Sequence, residues 1–405
     1  MALKDLTREC SDVLKPFMHD ILEKCLRAVN HPYMTAGNAV RFMYPVGKML
    51  SLMPQEEMTE NLERVVTPYV KELEELLGRE PDAKNKARTI FLLKLFTTLF
   101  QSLVHVDKEN ENKAESLQTP RPVQPTLALF PRIFPIVRAV TRVSVRDPEV
   151  MEAVWNLLKQ SVSTLKEDVR GHVHDILDLI MCSYPVVPHG GALELTHPLL
   201  TLFGKDAQFR PLFLAVYTKV SAVTLAHIQT TGNVSDHVDL VTVFFQMMTQ
   251  VVKKDAKMFD PAGGIECAQL FLCAQFCLKL AEVSAVRCAS YLLSQLISAS
   301  GSNPYINSVI LENGHQLVKQ LILSISSVNG IHYADYFAEV LLALNKKHFN
   351  QLCQWMNGFV EEPEFPTKRV TKVQKQKFAE LVLKERSNKR KLSAIVREFN
   401  ITAQC

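Results

Sequence analysis

Glycine is scarce in this sequence, which has 14 glycines among 405 residues. An average glycine usage of about 7% would give roughly twice that number. Dipeptides typical of two-residue β-hairpin turns, such as Asn-Gly between alternating apolar and polar residues, are nearly absent. The sequence therefore disfavours β-sheet architectures and predicts an all-α protein.

Long apolar stretches are also missing. The nearest approach, Val238–Val252, contains Asp239, Gln246 and Gln250 and falls short of the run of about 18 apolar residues that a membrane span needs. The first ten residues lack the charged and then apolar pattern of a secretory signal. The nine cysteines are odd in number and have no framework spacing, as is typical of a reducing compartment. We therefore expect a soluble intracellular protein that does not enter a membrane.

Motifs of catalysis and metal binding are missing as well. There is no Gly-x-Ser-x-Gly elbow, and Gly47-Lys48 is followed by Met49 instead of the Ser or Thr of a phosphate-binding loop. Four cysteines between positions 267 and 288 lie among large apolar residues on predicted helices, which indicates buried thiols and not the tight knuckles of a zinc site. The sequence predicts no enzyme, no catalytic or metal-ligating residue and no cofactor.

Apolar residues instead repeat at the spacing of amphipathic helices. Three stripes near the end of the chain show the pattern, each on one face of a helix. None of these helices could bury its stripe alone, so each needs a neighbour stacked against it. The stripes are Phe337, Val340, Leu341 and Leu344; Phe349, Leu352, Cys353 and Met356; and Leu392, Ile395, Val396 and Phe399.

Similar stripes follow one another along the chain. They predict about eighteen helices of roughly 12–22 residues joined by short turns. Taken in pairs, the helices form about nine units of roughly 40–47 residues, which is the period of HEAT and armadillo hairpins. The predicted fold is an α-α superhelix, a HEAT- or armadillo-like solenoid with an extended concave surface.

The pattern of stripes is interrupted once. Residues 105–125 are charged, polar and proline-rich without a hydrophobic period, and they predict a flexible loop within the array. HEAT-like repeats are expected on both sides of it, over 1–104 and 126–366. Residues 367–405 are expected to form basic helices that cap the carboxy-terminal end.

The formal net charge of +4 is unevenly distributed. Residues 367–405 hold 11 Lys and Arg against 3 Glu, so the preceding part of the chain is net negative. The aromatic residues there are Phe378 and Phe399, and both fall on apolar stripes, whereas nucleic-acid grooves present stacking aromatics. A solvated outer helix face is favoured over docking of an acidic partner and over a nuclear localisation signal at Lys389–Lys391. We expect no direct nucleic-acid binding.

Several segments resemble a known family. Near the end of the chain they are Phe337-Ala338 with Ala343–Lys346 and Trp355, then Phe365-Pro366 before a basic helix, then Leu383, Glu385-Arg386 and Asn388–Arg390. Upstream, the residues from Phe245 to Phe259 and those at Pro68–Val70 and Leu73-Glu74 also fit. On these residues the chain is similar to the importin-13 and transportin-SR branch of the importin-β nuclear transport receptor superfamily, in its carboxy-terminal portion.

The resemblance implies a function. Members of the family carry folded protein cargo through nuclear pores under control of the GTPase Ran, contact nucleoporins, and shuttle between nucleus and cytoplasm. They hold cargo on the inner face of the superhelix. Lys253, Lys254 and Lys257 match the family's basic cluster, which implies contact with an acidic cargo surface. The alternative is that these lysines are solvated residues at a helix C-terminus, where the helix dipole favours them.

Receptors of this family are much longer than this chain. The amino-terminal arch, where they make their principal contacts with Ran, has no counterpart in the resemblance, so cargo contact is expected of this chain while Ran binding is expected of the full-length receptor. Without a preceding repeat, the first helical hairpin would expose apolar residues and favour self-association. These residues are Leu6, Val13, Phe17, Ile21 and Leu22.

Two other functions fit a helical solenoid. One is a HEAT-repeat scaffold that assembles an enzyme complex, such as a phosphatase scaffold subunit. The other is a regulatory subunit whose basic tail binds chromatin or nucleic acid, and this interaction would weaken steeply with salt. Shuttling between nucleus and cytoplasm would separate a transport receptor from a scaffold.

Overall fold

A computed structural model describes residues 2–80, 82–103, 125–231, 234–260 and 263–405. The predicted loop at 105–125 lies outside these residues apart from Pro125. Throughout the described ranges the regular structure is helical, with no strand, which confirms the prediction of an all-α array of helical hairpins. The chain forms two compact units, Met1–Gly204 and Lys205–Cys405.

The first unit contains short turns of 3₁₀-helix as well as α-helices. Its 3₁₀ segments are Lys15–Phe17, Pro125–Ala128 and Lys166–His172. Its α-helices are α1 (Ala2–Glu9), α2 (Ser11–Leu14), α3 (Met18–Val29), α4 (Ala36–Leu50), α5 (Gln55–Leu77), α6 (Ala83–Ser102), α7 (Leu129–Ser144), α8 (Pro148–Leu165), α9 (Val173–Ser183) and α10 (Gly190–Phe203).

The helices of the first unit form two layers. Helices α4, α6, α8 and α10 pack side by side in one layer, and α5, α7 and α9 follow one another in the other. Helix α8 starts at a cap residue followed by proline: the Asp147 carboxylate accepts hydrogen bonds from the amides of Glu149 and Val150 at 3.1 and 3.2 Å, and Pro148 is the first helical residue. Trp155, on that helix, is fully buried between the layers.

The apolar residues expected to be exposed on the first hairpin behave differently from one another. Leu6, Val13 and Phe17 are exposed, with 47%, 72% and 58% of their surface accessible. Ile21 is half-buried. Leu22 is buried, contrary to the prediction, because α3 packs along α4.

The second unit repeats the two-layer arrangement with nine α-helices in its described part. Its 3₁₀ segments are Val234–His237 and Ala256–Phe259. Its α-helices are α11 (Arg210–Thr231), α12 (Val238–Lys254), α13 (Cys267–Cys277), α14 (Val283–Ala299), α15 (Pro304–Ile325), α16 (Gly330–Lys347), α17 (Phe349–Glu361), α18 (Lys372–Lys384) and α19 (Lys389–Gln404).

We call the helices α12, α14, α16 and α19 the second layer of this unit. Each packs along the next. Helices α11, α13, α15, α17 and α18 follow one another in the first layer, and hairpin partners such as α15 and α16 join the layers. The predicted stripes point between them: Phe337, Val340, Leu341 and Leu344 are all fully buried.

Helix α19 is fastened to the preceding repeat through polar contacts. The amide of Asn400 donates to the carbonyls of Ile325 and Ser327 at 2.6 and 2.8 Å, and Gln404 donates to the carbonyl of Ser326 at 2.6 Å. These carbonyls belong to the last residue of α15 and to the two residues after it, and they have no partner within that helix. The terminal helix therefore completes the hydrogen bonding of the α15–α16 connection.

Helix α11 is the one described helix that is long and apolar enough, by length and composition, to cross a membrane. Within that stretch 44% of the residues are buried in the protein, and core helices of soluble proteins pass the same test. It packs against α12 and α13 as part of the array.

Candidate functional site

The basic cluster predicted from the sequence lies at the end of a second-layer helix. Lys253 and Lys254 are the last residues of α12, and Lys257 belongs to the 3₁₀ turn that follows. All three side chains are exposed. Asp255 shapes this turn, because its carboxylate accepts a hydrogen bond from the Lys257 amide at 3.1 Å and pairs with Arg210 at 2.7 Å.

The three lysines do not share one environment. The Lys253 ammonium donates a hydrogen bond to the Tyr291 hydroxyl of α14 and lies 4.5 Å from the centre of that ring. Lys254 points away from it, since successive helical residues are turned by about 100°. No ion pair involves the side chains of Lys254 and Lys257 within the described part of the chain. The structure therefore places only Lys253 beside a neighbouring second-layer helix.

Tyr291, which Lys253 contacts, lines a groove that the sequence did not predict. The cavity has a volume of about 400 Å³ and crosses all four second-layer helices. We call it the four-helix groove. It is lined by Gln246, Thr249 and Gln250 of α12, Arg287, Cys288 and Tyr291 of α14, Tyr336 and Glu339 of α16, and Lys389 of α19.

The charges of the four-helix groove do not cancel. Lys389 and Glu339 pair with each other across α19 and α16 at 2.5 Å. Arg287 is exposed and has no ion pair among the residues described. The lining residues therefore include one cation more than they include anions, and Lys253, which contacts Tyr291 without lining the groove, adds a second positive charge beside it. The groove is therefore electrostatically complementary to an acidic ligand.

The floor and rim of the groove differ in chemistry. Cys288 and Thr249 are buried at its base, where the Gln246 amide lies 3.5 Å from the Cys288 sulfur. Tyr291 is 37% exposed and Tyr336 is half-buried, so their rings form part of the accessible wall. Spacing alone gave a weak signal for this face, since Arg287 and Tyr291 are separated by four residues and share one side of a helix.

The cysteines between 267 and 288 lie on helices, as their apolar neighbours indicated. Cys267, Cys277 and Cys288 are buried as predicted, whereas Cys273 is half-buried, and all nine cysteines of the chain are free thiols. Burial raises the pKa of Cys267 to about 12, so this thiol stays protonated near neutral pH. No group of three or more His, Cys, Asp or Glu side chains suited to a metal ion occurs in the ranges that the structure describes.

Comparison with known proteins gives one consistent result. The family described as Importin 13 repeat matches residues 278–352, a segment that contains Arg287, Cys288, Tyr291, Tyr336 and Glu339 of the groove. The chain is 28% identical to importin-13 of Gallus gallus and of Homo sapiens over 402 residues. The match covers 98% of this chain and 42% and 41% of those two proteins, so the chain spans about two fifths of their length.

A solved structure leads to the same family. The structure titled "Importin13 cytosolic state" matches 99% of this chain and 45% of its own, with a TM-score of 0.85 and 26% sequence identity. The order of the helical hairpins in the described residues therefore agrees with that protein. These comparisons confirm the resemblance predicted from the sequence: the chain is similar to importin-13 along nearly all of its length.

Proposed function

We propose that this chain is the cargo-holding part of a nuclear transport receptor, which binds folded protein with an acidic surface along the second layer of its second unit. The observation that carries the proposal is the row of side-by-side helices α12, α14, α16 and α19, which presents exposed cations, Arg287 and Lys254, that have no ion pair with any residue that the structure describes. The similarity to importin-13 supports the transport role, and it gives no support to an enzymatic one.

The geometry suits recognition of a folded protein. A layer of packed helices offers a wide and rigid surface over which many modest contacts add up. Exposed lysines at the end of α12 extend the positive charge beyond the groove, and such charge steers an acidic partner and selects against a basic one. In this proposal Lys253, Lys254 and Lys257 contact the cargo.

Other steps of transport belong to the longer receptor in this proposal. Ran controls loading and release, nucleoporins give passage through the pore, and the receptor moves between nucleus and cytoplasm in the direction of import, with export as a further possibility for some cargo. The chain spans about two fifths of the importin-13 proteins it matches. Cargo contact is accordingly the step assigned to the residues described here.

A capture experiment tests the assignment. The chain is immobilised, exposed to cell extract, and its retained proteins are quantified by mass spectrometry, alongside the triple variant K253E/K254E/K257E. Loss of two or three favourable interfacial charges and their replacement by repulsive ones should reduce retention by about tenfold or more. The matched control is K15E/K24E/K219E, which makes the same change in net charge at exposed lysines outside the second layer.

The identity of the retained proteins decides between functions. A set of acidic nuclear proteins, lost from the first variant and kept by the control, supports the transport proposal. Retention of phosphatase or other enzyme subunits would favour the scaffold alternative. Equal retention by the triple variant and its control would show that Lys253, Lys254 and Lys257 do not contribute to binding.

A further inference from the structure

The four-helix groove has the dimensions of a binding site. Its volume of about 400 Å³ falls within the range of about 300–1,000 Å³ found for ligand pockets. Its base is formed by the buried Cys288 and Thr249, and its accessible walls are formed by Tyr291 and Tyr336 from adjacent helices. An apolar side chain that entered between the two tyrosines would therefore be removed from water and would pack against their rings.

The charges around this opening favour an acidic occupant. Arg287 lies one helical turn before Tyr291 on the same face of α14, and its guanidinium has five N–H donors with no ion pair in the described ranges. Lys253 has its ammonium at the Tyr291 hydroxyl, which leaves other N–H donors for a ligand. Carboxylates placed on either side of the apolar group would reach both cations.

The same features disfavour nucleic acid. Binding of single strands relies on bases stacked on open aromatic faces. The aromatic side chains that line this groove are Tyr291 and Tyr336, and Lys253 lies 4.5 Å from the centre of the Tyr291 ring, so the groove lacks the row of open aromatic faces on which successive bases stack. The groove also lies on the layer assigned to protein cargo, which makes a segment of that cargo the occupant that fits the surface.

We propose that the four-helix groove binds an extended acidic segment of the cargo, with one large apolar side chain between Tyr291 and Tyr336 and flanking carboxylates on Arg287 and Lys253. This inference rests on the proposed function and deepens it, because it names the residues of the basic surface that bind one particular segment of the cargo. The apolar side chain supplies the burial, and the carboxylates supply selectivity.

The experiment measures binding of a short fluorescein-labelled peptide to the full chain by fluorescence anisotropy. The probe has one central phenylalanine between Glu and Asp residues. Two control peptides have serine in place of phenylalanine, or glutamine and asparagine in place of the acidic residues. The chain variants are R287E and Y336A, with K219E and F276A as matched controls on exposed first-layer positions. Circular dichroism verifies that each variant is folded.

We expect R287E and Y336A each to weaken binding of the acidic phenylalanine peptide by about tenfold or more, and the first-layer controls to leave it within about twofold. Both control peptides should bind as weakly as the variants do. Binding by R287E should also depend less on salt than binding by the unmodified chain. No binding up to about 1 mM peptide, or equal binding by all variants, would overturn the proposal. Competition by single-stranded RNA at the groove would assign it to a different class of partner and overturn it too.

The capture experiment separates this inference from the proposed function. If protein capture is lost on K254E/K257E and is unaffected by R287E and Y336A, the cargo surface stands and the groove is not its anchor. If R287E and Y336A abolish peptide binding while no nuclear protein is captured by the unmodified chain, the groove stands and the transport assignment fails.

Discussion

Asn345 is expected to be one of the most sensitive polar residues of the second unit. It lies at the end of α16 and is 1% exposed. Its amide nitrogen is 2.7, 3.2 and 3.0 Å from the carbonyl oxygens of Val382, Leu383 and Glu385. These are the final carbonyls of α18 and its C-cap, which have no partner within their own helix. One side chain therefore ends α18 and joins it to α16.

The cost of removing this amide follows from its hydrogen bonds. The amide nitrogen has two N–H groups for three acceptors, so about two full hydrogen bonds are lost in Asn345→Ala, and buried carbonyls are left unsatisfied. The buried Oδ1 atom of Asn345 has no hydrogen-bond partner among the described residues, and the cost of burying it offsets part of the stability that the amide hydrogen bonds contribute. We estimate a local destabilisation of about 2–3 kcal/mol. Asn345→Asp should cost about 3–5 kcal/mol, because it buries a charge against three carbonyl oxygens.

Hydrogen exchange measured by mass spectrometry tests this estimate on α18 itself, where local opening is reported directly. The alanine variant should accelerate exchange of the Lys372–Lys384 amides by roughly 30- to 150-fold, and the aspartate variant by more. Asn313→Ala is the matched control, since the Asn313 amide bonds only to the Val309 carbonyl of its own helix. Unchanged protection of α18 in the alanine variant, or an aspartate variant as stable as alanine, would refute the assignment.

Three further predictions concern stability and association. Gly314→Ala should destabilise the second unit by about 1–3 kcal/mol in thermal unfolding, because the new Cβ would lie 2.1 Å from the Trp355 ring; an unchanged transition would contradict this. Asp147→Ala should cost about 1–2 kcal/mol above pH 4, since the helix cap and the Lys86 ion pair are lost. Partial burial would raise the pKa of Asp147, but the Lys86 ammonium and the backbone amides outweigh this effect and hold the pKa below its usual value. In urea titrations, the difference in unfolding free energy between wild type and variant should therefore disappear as pH falls through the folded pKa. Phe17→Ser should reduce self-association of the isolated chain in light scattering, because Phe17 is 58% exposed, and equal scattering would show that this face is not involved.

Much of the fold could be predicted because local patterns and packing agree. The stripe Leu392, Val396 and Phe399 is buried in the array, and the half-buried Ile395 lies beside it. The cap at Asp147 and the proline after it, a sequence that favours a helix start, begin α8. These features depend on neighbours within a few positions, which a sequence displays directly.

Helix boundaries were less predictable where the backbone makes a special turn. Hydrophobic periodicity predicts a helix from about residue 168, but α8 ends at Leu165, and Lys166, with a φ of 53°, begins a 3₁₀ segment that precedes α9. Periodicity also predicts a helix over 262–281, whereas α13 is shorter, from Cys267 to Cys277. Gly264, with a φ of 72°, lies before it in a conformation that favours glycine and that periodicity does not reveal.

The four-helix groove could not be predicted for a different reason. Its lining combines residues as far apart as Gln246 and Lys389, and these meet only because second-layer helices pack side by side. The basic cluster was visible because its lysines are close in sequence. The sequence does not show that the three lysines differ in their surroundings. Lys253 contacts Tyr291, whereas helical rotation turns Lys254 away from that ring and Lys257 lies in the turn after α12.

The residues that carried the resemblance now have physical roles, and most of these roles are structural. Asn345 ends α18, Trp355 packs on Gly314, and the Phe365 ring meets Phe359 at a centroid distance of 6.0 Å. Glu385 accepts hydrogen bonds from the amides of Ser387 and Asn388 before α19. A likeness built on such residues specifies how the repeats stack, and it says little about what they bind. In the proposed function the choice of partner depends on exposed residues such as Arg287 and Lys254, which stacking does not constrain, so variants at those positions test binding directly.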